Sequence, residues 1–184
     1  HAEGGSIQLN VLNIFRAAIA AILMSVVLLM SGCHTVDDER IPAVPVNINL
    51  ADAGLWNTYG VSGFGLFRYF IPQAGEPAGF RYTANTATGF GGVLLIGGMD
   101  PFSTETNVPL AYDLACPVES DPNVRVSVDP STFEAVCGKC GSHYDITMQG
   151  GAPVSGPASQ GKHKYGLNRY QCLRSTSGGY IITR

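Results

Sequence analysis

The stretch "VCGKCGSHYD", residues 136–145, holds two cysteines three positions apart, Cys137 and Cys140, followed by Gly-Ser, one spacer and Tyr-Asp. At the CxxC spacing one tight turn aims two sulfurs at a common point, which suits a zinc ion or an iron–sulfur centre. Two thiolates complete neither, so the motif calls for a second half. That half lies upstream in "AYDLACPVE", residues 111–119, which carries Cys116. The interval between them, "SDPNVRVSVDPSTFEA", alternates apolar and polar residues around a "DPST" turn and reads as a β-hairpin. The two cysteine segments therefore become two loops separated by a hairpin.

Outward from this region the patterns are strand-like and almost free of helix. "VPVNINL" (44–50) alternates as a half-buried strand does, and "LFRYFI" (66–71) is rich in aromatics. "FGGVLLIGG" (90–98) is a short apolar run bounded by glycine, the pattern of a buried strand. "HYDITM", "YGLNRYQCL" and "GYIITR" complete the set, and "PQAGEPAGF" (72–80) is a loop. One helical turn fits near "ADAGLWNTYG", where Trp56 reads as a core residue. Short strands with turn signals between them predict an all-β fold, a small sandwich or barrel.

Charge narrows the partners. The net charge is −3, and no basic block or arginine-rich stripe is present, which argues against a nucleic-acid partner. No Ser-His-Asp grouping, phosphate loop, dinucleotide fingerprint or paired-carboxylate pattern emerges. An enzymatic role is thereby left uncertain, with the balance toward none.

The N-terminal segment has a separate character. "AAIAAILMSVVLLM" (17–30) is uncharged, follows Arg16, and is short for a transmembrane helix. It runs into "LMSGC", with Ser31 and Gly32 directly before Cys33. This resembles the signal peptide and lipobox of bacterial lipoproteins. The resemblance implies cleavage after residue 32, acylation of Cys33 and a domain held outside the cytoplasm by its lipid. Residues 33–45, with the acidic cluster Asp37, Asp38 and Glu39 and the prolines Pro42 and Pro45, then read as a solvated tether. The folded domain is expected over 46–184. His34 rather than Asp after the lipid cysteine leans toward the outer membrane in the enterobacterial sorting pattern.

The order of features in the second half resembles the Rieske iron–sulfur domain, over roughly residues 90–184. In that family one loop carries Cys-x-His, a hairpin follows, a second loop carries Cys-x-x-His-Gly-Ser, and a Gly-Pro loop closes over the site. Here Cys116 and Cys137 occupy the cysteine positions, Gly141, Ser142, Tyr144 and Asp145 match the tail of the second loop, and Gly156 and Pro157 match the closing loop. The resemblance implies a two-loop cluster-binding subdomain and an auxiliary redox or electron-transfer role, beside a larger envelope complex. The ligands depart from the family: Val118 falls where the first histidine belongs, and Cys140 where the second does.

Three expectations for the site follow. In the first, Cys116, Cys137 and Cys140 converge on a metal, a zinc ion or a [2Fe–2S] cluster, with His143 or Glu119 as local candidates for a fourth ligand. In the second, the domain binds no metal, is stapled by a Cys137–Cys140 or Cys116–Cys137 disulfide, and serves as a structural or interaction module. The third is a redox dithiol at "CGKC" activated by Lys139, although such motifs normally open a helix and these surroundings read as strand. Cys172 in "LNRYQCL" reads as a buried core thiol and His163 as an exposed loop residue.

Overall fold

The computed structural model describes residues 36–100 and 105–184, together with Arg16 and Ile19. Cys33 and all of the leader but Arg16 and Ile19 lie outside the described residues. Among the described residues no helix is long and apolar enough to cross a membrane.

The chain from Thr35 to Arg184 is one compact unit, and its fold is all-β, with sheets that are nearly barrel-shaped. Among the described residues, thirteen strands occur in the order β1 (Val36–Asp37), β2 (Val46–Asp52), β3 (Phe67–Phe70), β4 (Ala87–Thr88), β5 (Val93–Met99), β6 (Thr106–Asp113), β7 (Val126–Asp129), β8 (Glu134–Cys137), β9 (His143–Asp145), β10 (Ala152–Ser155), β11 (Lys164–Tyr165), β12 (Arg169–Arg174) and β13 (Gly178–Thr183). A seven-stranded sheet has the order β3-β5-β6-β12-β13-β2-β4. A four-stranded sheet, β10-β9-β8-β7, is inserted between β6 and β12. β1 and β11 form a separate parallel pair.

The continuous apolar run of β5 has a direct cause in this topology. Leu94 and Ile96 face a core cluster shared with the inserted sheet, where they meet Tyr112, Val126 and Tyr144. Val93 and Leu95 face a second cluster with Ile48, Leu50, Phe70 and Ile182. A strand buried on both faces loses the polar alternation that a half-buried strand keeps. β2 keeps it: Val46, Ile48 and Leu50 are buried while Asn47 and Asn49 are exposed.

The expected helical turn is a seven-residue helix, α1 (Ala53–Tyr59). Asp52 caps it, its Oδ1 accepting from the Gly54 and Leu55 amides at 2.8 and 3.2 Å. Such caps satisfy amides that have no partner within the helix. Trp56 is half-buried and stacks on Tyr180, with ring centroids 4.6 Å apart.

The expected tether needs correction. Val36 and Asp37 pair with Lys164 and Tyr165, and Ile41 is only 2 % exposed. Arg40 Nε donates to the Pro117 carbonyl at 2.8 Å, and its guanidinium lies 4.2 Å from the centre of the Tyr165 ring. The segment 36–45 is thus strapped to β11 and to the loop that carries Cys116. Its acidic surface residues concealed this, because the anchoring groups are one buried isoleucine, one arginine and backbone pairing. Replacing Arg40 by Ala is expected to lower unfolding stability by about 1–2 kcal/mol, from the lost cation–π contact and hydrogen bond. A denaturant titration checks it, and an unchanged midpoint would mean that the strap is held by β1 and Ile41 alone.

Candidate metal centre

Cys116 follows β6 in the first loop. Its amide donates to the Val124 carbonyl and its carbonyl accepts from the Ser120 amide, each at 2.9 Å, so the loop closes tightly around it. Asp113, at the end of β6, braces the same loop from inside the protein. Its carboxylate accepts from the Phe90, Gly91 and Ala115 amides at 2.8, 2.9 and 2.7 Å and from the Tyr170 hydroxyl at 2.5 Å. Burial pushes the Asp113 carboxyl above its ordinary range, and these hydrogen bonds offset only part of that. "AYDLAC" contains the signal for this brace, a charge inside an apolar run three residues before the cysteine, but no role follows from it in the sequence.

Cys137 ends β8, and Cys140 sits in the turn between β8 and β9. The turn is closed by the Cys137 amide donating to the Ser142 carbonyl and the Gly141 amide donating to the Cys137 carbonyl, both at 2.9 Å. Gly141 takes φ +72°, a left-handed conformation that glycine adopts without steric cost. The closing loop then packs on it. The Ala158 amide donates to Ser142 Oγ at 3.0 Å, and Cys140 Sγ lies 3.1 Å from the same oxygen.

These loops bring the three sulfurs of Cys116, Cys137 and Cys140 within 4.8 Å of one another, with Cys116 and Cys140 at 3.6 Å. Cys116 and Cys137 are fully buried, whereas Cys140 is partly exposed. All the cysteines among the described residues are free thiols. The Tyr144 hydroxyl is 3.5 Å from Cys116 Sγ. Burial, foremost, pushes the Cys116 thiol up to about 12, against the pull of the Tyr144 hydroxyl and the Glu119 and Val118 amides. Burial also raises Cys140, but contacts with the Ser142 hydroxyl and amide and with the other two thiols outweigh it and hold Cys140 below its ordinary value.

The two candidate fourth ligands point elsewhere. His143 and Tyr144 are neighbours on β9, and successive strand residues face opposite sides of a sheet. Tyr144 faces the thiols, so His143 faces away, and its Nδ1 meets Glu134 Oε2 at 2.8 Å. Glu119 is engaged by Lys139, with Nζ 2.6 Å from Oε2. Neither joins the ligand group. Lys139 is accordingly paired with a carboxylate rather than directed at a thiol. Cys172 is half-buried on β12 against the second core cluster, where burial pushes its thiol up to about 12. His163 is exposed in its loop.

Fold and site together define an all-β domain with a three-thiol group at one end of a four-stranded inserted sheet. No protein-family model matches the chain, and no curated protein sequence matches it.

Proposed function

We propose that this chain is a cell-envelope lipoprotein, anchored through Cys33, whose Rieske-like domain holds a single metal ion, Zn²⁺ foremost, on Cys116, Cys137 and Cys140. The observation that carries the reading is the sulfur geometry. Two thiolates on one tetrahedral zinc, with Zn–S near 2.3 Å, stand about 3.8 Å apart. The 3.6 Å approach of Cys116 to Cys140 lies close to that edge, and the third sulfur is within 4.8 Å of both.

The family's usual cofactor does not fit these residues. A Rieske centre takes two imidazoles on one iron. Val118 and Cys140 stand at those positions, and His143 turns to Glu134. Thiolates on opposite irons of a two-iron cluster also stand farther apart than thiolates sharing an ion. The role proposed is therefore that of an auxiliary metal-binding component at the membrane surface. The scaffold resemblance is supported by the hairpin β7–β8 between the loops and by the closing loop packed on Ser142.

The competing reading is a metal-free module. Its staple would join two of these three converging thiols, of which Cys116 and Cys140 stand 3.6 Å apart. Metal analysis of the full chain, purified anaerobically, separates the readings. One zinc per chain, lost in Cys137→Ser, is the expected result. Iron with labile sulfide would replace the single ion by a cluster. A metal-free protein with oxidised thiols would leave only the module.

A further inference from the structure

We infer that the centre leaves its fourth coordination position open to an imidazole donor from outside the chain. This rests on the single-ion reading above and concerns what that ion binds next.

Among the described residues, the donors nearest the thiols are otherwise engaged. His143 is held by Glu134 at 2.8 Å on the far face of β9, and Glu119 is held by Lys139 at 2.6 Å. Ser142 Oγ receives the Ala158 amide at 3.0 Å. The Tyr144 hydroxyl is the partner of Cys116 Sγ. Among the described residues, the group able to hold an ion contains three sulfurs and no histidine or carboxylate. Zinc is ordinarily four-coordinate, and sites with three protein ligands keep the fourth position for water or an incoming ligand.

The open position faces solvent. Cys116 and Cys137 are fully buried and back the ion against the core, and Cys140 is the sulfur with solvent access. Gly138 and Gly141 leave two stretches of the turn's rim without a side chain, on either side of Lys139 and Cys140. At both Gly138 and Gly141 a Cβ would find no atom within 4 Å. A donor that approaches over these two glycines meets no side chain of theirs.

Charge favours a neutral donor. A divalent ion on three thiolates carries a net charge of about −1. A fourth thiolate or a carboxylate would add a further negative charge, and the Lys139 ammonium beside the site is already paired. Imidazole adds none, and it suits zinc. Water fills the position until such a ligand, a peptide histidine for example, displaces it.

The test uses the reduced full chain loaded with Co²⁺ in place of zinc, because its visible bands report coordination. Imidazole is expected to shift the ligand-field bands saturably while the thiolate-to-cobalt bands persist. The His143→Ala and Glu119→Gln variants should respond as the wild type does. A wild-type spectrum indifferent to imidazole, or one changed at the outset by either variant, would place the fourth ligand inside the chain and overturn the inference alone. Loss of the thiolate bands on adding imidazole would also overturn it. Failure to take up Co²⁺ at all would overturn the single-ion reading and the inference with it.

Discussion

Replacing Asp113 by Ala is expected to destabilise the domain by about 3–5 kcal/mol, because it leaves buried donors without an acceptor. The side chain is fully buried and takes three amides and the Tyr170 hydroxyl. Those donors come from the segment before β5, from the cysteine loop and from β12, so a single carboxylate ties three parts of the chain together. Asn in its place would offer one acceptor oxygen and turn an NH₂ group toward amides, and it should also destabilise. A pH signature accompanies this. The Asp113 carboxyl is raised by burial, so the folded state holds its proton to higher pH than the unfolded state does. Its contribution is full below the ordinary carboxylate pKa and is lost as pH rises through the raised value. The stability gap between wild type and Asp113→Asn should therefore narrow across that window in urea titrations. A gap that widens with rising pH would mean that the four hydrogen bonds outweigh burial and hold the carboxylate ionised.

Gly156→Ala is expected to cost about 2–4 kcal/mol and to weaken metal binding at least tenfold. Gly156 has φ +77° and ψ −169°, a region essentially restricted to glycine, where other residues are strained by about 1–3 kcal/mol. A Cβ there would lie 2.6 Å from the Gly141 carbonyl oxygen and 2.7 Å from Ser142 Cα. Relief of that overlap pushes the closing loop off the cysteine turn and draws the Ala158 amide from Ser142, which contacts Cys140. Groups that orient a metal ligand are worth roughly 10–100-fold in affinity when lost. Gly138→Ala is the control, since its Cβ would meet nothing within 4 Å. It should change stability by less than about 0.5 kcal/mol, as surface substitutions usually do. Thermal unfolding and competitive zinc titration of both variants check the pair. Equal behaviour of the two would remove the closing loop from any part in shaping the site.

The strands and the two-loop arrangement were legible from local pattern. Alternation marked β2 and β7, a glycine-bounded apolar run marked β5, and the "DPST" turn marked the hairpin that separates Cys116 from Cys137. Period-two alternation and turn chemistry act over a few residues, so a single sequence displays them. The strap at 36–45 was hidden, since its partners Pro117 and Tyr165 lie far along the chain.

Three thiols in two loops on an all-β scaffold is what the sequence by itself determined. Tertiary structure alone decided how near those sulfurs come and what completes their shell. His143 stands three residues past Cys140, a spacing that suggested a ligand, yet strand pleating sends it to the opposite face from Tyr144, toward Glu134. Glu119 was taken by Lys139 across the two loops. Spacing along a chain bounds reach, but the face a strand presents and the charge waiting on the next strand or loop settle direction. Both arise only when distant segments pair.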